Sequence, residues 1–289
     1  MIRFGVAGWD YKDWWGPVYP VPRPRGFDPL GFLARFIDTV EINSTFYRPA
    51  SAKSAMSWVH RVAHNPRFRF TAKLYQRFTH QRDEAWTRND VEEVKAGLAP
   101  LLEADRLGCV LIQFPWSYKR DDASREWLDD LVRAFSDFPL AVEVRHSSWN
   151  VPEFYAALRE RGIGAVNIDQ PVFRHSIKPG AEVTSGVGYV RLHGRNYGNW
   201  FRDSAESHER YDYLYTKEEL REWLDRIHEV AERAQETYVI TNNHYRGQAP
   251  ANALMMQKMS GGEPAVPREL AAAFRDVLES VGMVVKRET

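Results

Sequence analysis

The chain has 289 residues, of which 44% are hydrophobic and 27% charged, the proportions of an ordinary globular protein with a sizeable core. Its 39 lysines and arginines balance 39 aspartates and glutamates, which excludes a global field that would draw nucleic acid or an anionic membrane surface. The single cysteine, Cys109, excludes an internal disulfide, and no apolar run approaches the length of a membrane-crossing helix, so a reducing, cytoplasmic setting is expected.

The opening MIRFGVAG enters a strand pattern at residues 2 to 8 with neither the basic start nor the apolar stretch of a signal peptide. Residues 10 to 27, rich in Pro, Arg and Trp, form a long first loop, and Asp28 with Pro29 starts a helix. A strand at 38 to 43 precedes a helix opened by Ser51, and a strand at 68 to 73 precedes the acidic-first helix DVEEVKAGLAPLLEA, opened by Asn89. The strand at 109 to 114 is followed by a helix from Ser124, and the strand at 140 to 145 by PEFYAALRERG between Asn150 and Gly162. After the strand at 163 to 168, residues 170 to 186 show no helical pattern, which a small sixth helix or a reinforced wall would explain. The strand at 187 to 193 opens into GRNYGN, residues 194 to 199, and Thr216 with Glu219 makes a capping box for an amphipathic helix to about residue 235. The eighth strand, 237 to 242, leads into TNNHYRGQAPANA, where Ala251 to Ala253 start the last barrel helix, and PRELAAAFRDVLESVG closes the chain's core. Eight strands alternating with helices predict one (β/α)₈ TIM-type barrel over residues 1–289, irregular between strands six and seven, with an open doubly wound sheet as the runner-up.

Five of these strands end in polar pairs two residues apart: Glu41 and Asn43, Thr71 and Lys73, Glu143 and Arg145, Asn167 and Asp169, Arg191 and His193. Residues two apart on a strand share a face, so each pair is expected on one wall, and a buried charge must find a partner or a ligand. A polar floor at the carboxyl ends of parallel strands is where barrel enzymes keep their chemistry. Glu41 and Glu143, three strands apart, are expected within roughly 5 to 9 Å of each other, the range of paired acid/base carboxylates. Equally, they would neutralise Lys73 and Arg145 in a structural network.

Lys73, Arg145, Arg191 and Arg195, with the glycines of the GRNYGN loop (Gly194 first), favour an anionic ligand. Glu41, Glu143, Asp169, His193 and His244 would suit zinc or manganese, but no HExxH or paired cysteines support a metal, and the interleaved cations oppose one. No cofactor is therefore expected, with a divalent metal as the lesser alternative. Aromatic residues crowd the mouth: Trp9, Tyr11, Trp14 and Trp15, Phe46 and Tyr47, Trp116, Trp149 and Trp200. Most of them are expected to pack loops onto the barrel, with Trp9 and Tyr11 the best candidates for ligand contact. The absence of GxSxG, GxxxxGK[ST] and the dinucleotide glycine fingerprint removes support for serine hydrolysis, nucleoside triphosphate cleavage and Rossmann-type redox chemistry.

The stretches GVAGWDYKDWWGPVYP, FIDTVEINSTFYRP, FRFTAKLYQRFTH, IQFPWSY, AVEVRHSSW, YVRLHGR, YDYLYTKEEL and NNHYRGQAPANA together resemble the YecE-like family, long catalogued as a domain of unknown function. The resemblance implies a single (β/α)₈-type barrel. It falls on Trp9, Tyr11, Glu41, Asn43, Tyr47, Lys73, His80, Gln113, Glu143, Arg145, Arg191, His193, Gly194 and Asn243. The residues and the resemblance together suggest a non-redox enzyme, a hydrolase, lyase or isomerase, for a small anionic ligand such as a sugar phosphate or carboxylate. In that enzyme Glu41, Glu143, Lys73 and His193 would be catalytic. Trp9, Tyr11, Asn43, Tyr47, Gln113, Arg145, Arg191, Gly194, Arg195 and Asn243 would bind the substrate. The alternatives are a metal-dependent phosphodiester or nucleic-acid hydrolase, which the zero net charge disfavours, and a non-catalytic module binding a ligand or partner. No membrane partner is expected.

Overall fold

Strands apolar on both faces must be covered on both, and a parallel barrel wrapped by helices does this without leaving an unpaired edge. The computed structural model, which describes residues 1–198, 202 and 207–284, has this form. Strands β1 (Ile2–Ala7), β2 (Thr39–Ile42), β3 (Arg69–Lys73), β4 (Leu107–Gln113), β5 (Leu140–Glu143), β6 (Gly164–Asp169), β7 (Val187–Leu192) and β8 (Glu236–Thr241) pair in parallel in chain order. β8 returns to β1 and closes the cylinder.

The two faces of each strand go to different cores. Outward residues such as Val6, Val40, Phe70, Val110, Val142, Val190 and Val239 join one continuous core beneath the helices. Inward residues Ala7, Cys109, Ala141, Tyr189, Tyr238 and Ile240 form a separate apolar plug in the barrel. Cys109 fills that plug as a small buried hydrophobe. The chemistry is thereby pushed up to the carboxyl ends of the strands.

Helices Pro29–Leu33, Ala52–Arg61, Arg88–Glu103, Asp122–Ala134, Pro152–Glu160, Lys217–Arg233 and Gln248–Met259 cover the barrel between strands or after β8. Two starts differ from the sequence expectation. Thr87, not Asn89, caps Arg88–Glu103: its Oγ1 accepts from the Asp90 amide at 3.2 Å, and the Asp90 carboxylate accepts from the Thr87 amide at 2.6 Å. Asp121, not Ser124, caps the next helix, and the Ser124 amide donates to it at 2.8 Å. In each case the earlier of two capping residues satisfies the free amides and the later one falls inside the first turn. The capping box of Thr216 with Glu219 forms as expected. The last barrel helix begins at Gln248, three residues before Ala251, because left-handed Gly247 (φ 84°) delivers the chain directly into it.

Between β6 and β7 residues 170–186 contain no helix, and side chains secure the wall in its place. Asn167 donates from Nδ2 to the Glu182 carbonyl at 2.9 Å and accepts the Glu182 amide at 2.7 Å. Thr184 Oγ1 takes the Ala165 amide and donates to the Ile163 carbonyl. Among the described residues no helix is long and apolar enough to cross a membrane.

Candidate active site

Above the apolar plug lies a charged layer built from β2, β5 and β7. Arg191 is 2% exposed, and Glu41 and Glu143 are fully buried. One guanidinium joins both carboxylates, with Nη2 donating to Glu41 Oε1 at 2.7 Å and Nη1 to Glu143 Oε2 at 2.5 Å. The remaining oxygens are also engaged: Tyr189 donates its hydroxyl to Glu41 Oε2 at 2.8 Å, and Arg145 Nε donates to Glu143 Oε1 at 2.8 Å. Because the Tyr189 proton goes to Glu41, Thr71 Oγ1 donates to the Tyr189 oxygen at 2.7 Å. Burial pushes the Glu143 carboxyl up, but the Arg191 and Arg145 guanidiniums outweigh it and hold Glu143 well below the usual range. Burial likewise works against the Arg191 charge, and Glu143 with Glu41 outweighs it and raises the guanidinium's pKa.

His193 stands over this layer, fully buried, with Nδ1 3.0 Å from the Asn242 side-chain amide and Nε2 3.3 Å from an Arg145 guanidinium nitrogen. Burial, followed by the Arg145 charge, lowers its pKa to about 3, so the imidazole is neutral at physiological pH.

Lys73, the last residue of β3, differs from every other charge in the layer. Its Nζ lies 3.8 Å above the centre of the Phe46 ring and makes no hydrogen bond or ion pair with the described residues. Burial, then the nearby Arg191 charge, lowers its pKa to about 7. Lys73 and Arg191 both line a cavity of about 860 Å³ at the carboxyl ends of β1, β2, β3 and β8. The Nε of Arg191 is buried and has no acceptor among the described residues.

The cavity walls follow from local chain geometry. Gly8 (φ 75°) turns the chain sharply out of β1, and the Tyr11 hydroxyl occupies the space a side chain at Gly8 would need, donating to the Ala7 carbonyl at 2.7 Å. Tyr11 stacks on His244, ring centres 4.4 Å apart, and the His244 carbonyl accepts the Trp14 indole N–H at 2.6 Å. Next to it Arg246 adopts a left-handed conformation (φ 49°), its amide held by the Asp13 carboxylate at 2.5 Å. These contacts latch the β8 loop onto the β1 loop. Trp9, Tyr11, Asn43, Phe46 and Tyr47 line the cavity, and Tyr47 is 69% exposed at its lip. Trp14 is buried and Trp15 packs on Tyr19 and Phe27, so both fasten the long first loop. Trp149 is buried against Tyr118. His80 sits edge-on to Phe46, its pKa lowered to about 4 by burial and then by Lys73.

Several expected site residues face elsewhere. Ile168 is register partner to inward Arg191, so Asn167 and Asp169 point outward with Val190 and Leu192. Asp169 accepts from Arg195 Nε at 2.9 Å and from the Tyr215 hydroxyl at 2.6 Å, and Arg195 also reaches Glu219. Arg195 is thus a partner in an outer cluster and not a cavity cation. Gly194 (φ 90°) donates its amide to Tyr215 Oη at 2.8 Å, so that N–H is not offered to a phosphate. Asn199 of the same loop and Trp200 lie outside the described residues. Gln113 faces inward beside Glu143 but donates to the Phe114 carbonyl at 2.6 Å and does not line the cavity. Asn243 fastens the chain to Tyr213 and Asn252, whereas its neighbour Asn242 lines the cavity. The five residues considered as metal ligands are therefore not gathered: Asp169 is outside the barrel wall, and the two glutamates are bound to arginines. Among the described residues no group of three or more His, Cys, Asp or Glu is placed to hold a metal ion.

Trp58, Tyr211 and Tyr245 line the cavity without having been expected there, and of the two asparagines at the end of β8 it is Asn242 that lines it. Asn242 was legible, being in phase with inward Tyr238 and Ile240. Trp58 comes from the helix Ala52–Arg61, Tyr211 from a loop and Tyr245 from the short 3-10 turn Tyr245–Gly247, where no strand periodicity marks an inward side chain.

Comparison with known proteins agrees with this architecture. The family model described as "Protein of unknown function DUF72" matches residues 3–273. UPF0759 protein YunF of Bacillus subtilis is 28% identical over 286 residues, spanning 93% of this chain and 99% of that protein. The crystal structure of a DUF72 family protein from Thermotoga maritima, 36% identical, superposes with a TM-score of 0.78 over 90% of this chain and 99% of that one. One from Enterococcus faecalis, 27% identical, gives 0.77 over 89% and 94%. The chain belongs to the DUF72 family, the YecE-like barrels expected from its strand-end motifs.

Proposed function

We propose that the cavity is the active site of a non-redox enzyme for a small anionic polar molecule, such as a sugar phosphate or a carboxylate, with Lys73 as its acid–base group. The observation that carries this is the Lys73 amine facing the cavity without a carboxylate partner, over a charge layer that is already balanced. Glu41 and Glu143 offset Arg191 and Arg145, so a protonated Lys73 is a surplus cation in a desolvated place. With a pKa of about 7 the amine is substantially neutral near physiological pH and can take a proton. An entering anion supplies the missing negative charge and strengthens the amine's hold on that proton. Trp9, Trp58 and Tyr47 offer flat apolar faces beside it, which suit a sugar ring.

With all four carboxylate oxygens engaged, Glu41 and Glu143 serve in this scheme as fixed counter-charges that orient Arg191, not as proton carriers. Neutral His193 holds the Arg145 and Asn242 side chains in place. The test is calorimetric titration of a panel of sugar phosphates and small carboxylates at pH 7.5 in buffers of different ionisation enthalpy. Binding should take up between about half and three-quarters of a proton in the wild type and none in Lys73→Met. Binding with no proton uptake, or uptake unchanged in Lys73→Met, refutes the assignment.

A further inference from the structure

We propose that Lys73 is also a nucleophile, and that the cavity captures an anionic aldehyde or ketone as an imine on its Nζ. This rests on the anion-binding role of the cavity proposed above and narrows its ligand to oxo acids and phosphorylated carbonyl compounds.

An amine can add to a carbonyl only if its lone pair is free and a path leads to it. Among the described residues the Lys73 Nζ meets no carboxylate and no hydrogen-bonding partner, only the face of Phe46, and it opens into the cavity. Its stem is rooted on β3, so the nitrogen is held by a barrel strand and not by a mobile loop. At pH 7 about half of such amines are neutral, against well under 0.1% of an ordinary lysine.

In the step itself the Nζ lone pair forms a bond to the carbonyl carbon and the C=O π pair moves to oxygen. One proton passes from nitrogen to that oxygen, a second arrives from water in the open cavity, and the carbinolamine loses water to leave an iminium. The balance is amine plus carbonyl plus one proton giving iminium plus water, with no oxidant or reductant. The iminium is again a surplus cation over a balanced charge layer. A ligand carrying its own carboxylate or phosphate neutralises it, and a neutral aldehyde does not. That requirement selects anionic carbonyl compounds.

The experiment is reductive trapping of the full chain at pH 7 with sodium cyanoborohydride and glyoxylate, pyruvate, glyceraldehyde 3-phosphate or neutral glycolaldehyde, followed by peptide mapping. At least one anionic probe should give a single adduct on Lys73, about tenfold or more ahead of exposed lysines such as Lys53, and ahead of glycolaldehyde by a similar factor. Lys73→Met, with its fold checked by circular dichroism, should lose that adduct and no other. Labelling spread evenly over surface lysines, or equal labelling by glycolaldehyde and glyoxylate, overturns the proposal. If no probe is trapped while inorganic phosphate still binds with proton uptake that Lys73→Met removes, the imine falls and the acid–base role stands. If phosphate also fails to bind, both fall.

Discussion

Two charged clusters crown this barrel, and they use the same chemistry in opposite ways. Outside β6 and β7, Asp169, Arg195, Tyr215 and Glu219 close on one another, and Asn167 and Gly194 beside them bond to the chain. Inside the mouth, Glu41, Glu143, Arg191 and Arg145 are balanced in charge, with the Arg191 Nε left without an acceptor among the described residues, yet Lys73 is left over and turned to a cavity. The outer cluster is complete without a ligand. The inner one is balanced in charge only while Lys73 is neutral. Charge at a strand end is therefore a poor marker of function, and an unmatched charge is a better one.

The contrast can be broken most severely at Arg191. Arg191→Met strands two buried carboxylates and should cost about 3 to 5 kcal/mol in urea denaturation at pH 7, and Glu41→Gln in the same background should recover part of it. A loss below about 1 kcal/mol would mean that the inner network is not bound as described.

Lys73→Met should act in the opposite direction. The folded state depresses the amine's pKa from 10.5 to about 7, so between those values the unfolded chain binds more protons and wild-type stability rises with pH. The variant removes that penalty, gaining about 2 to 4 kcal/mol at pH 7 and progressively less as the pH approaches 10.5. A variant less stable than wild type at pH 7 would show that the amine is paired in the folded protein.

In the outer cluster Asp169→Asn keeps an acceptor for Tyr215 but leaves Arg195 with only Glu219. It should cost about 1 to 3 kcal/mol while anion binding in the cavity is unchanged within twofold. Altered binding would join the two clusters into one site. Tyr47→Ala, at the exposed lip, should change stability by less than about 0.5 kcal/mol, so any weakening of ligand affinity it causes reports contact with the ligand.

Much of the site was visible in the strand-end pairs, because alternation is strict where a strand is held in a barrel. Glu41, Glu143 and Arg191 converge, with Lys73 above them, as that alternation requires. The error at Asn167 and Asp169 has the same origin. β6 reads as polar at alternate positions just like its neighbours, and only its register, Ile168 against Arg191, shows that its phase is reversed. The same one-residue alternation turns Asn242 to the cavity and Asn243 to Tyr213 and Asn252. In the GRNYGN loop Gly194 serves a close approach to Tyr213 and gives its amide to Tyr215, an arrangement that no local pattern distinguishes from a phosphate-binding turn.

By itself the sequence determined the eight strands, the barrel, the helix following most strands and the identity of the charges at the mouth, since apolar periodicity and turn chemistry act over a few residues at a time. Only the tertiary structure decided which charges cancel. Glu41 and Arg191 are 150 residues apart, and their pairing depends on barrel closure and strand register. What it left over, a lysine without a counter-ion, is a property of the sum of neighbours and not of any segment of the chain.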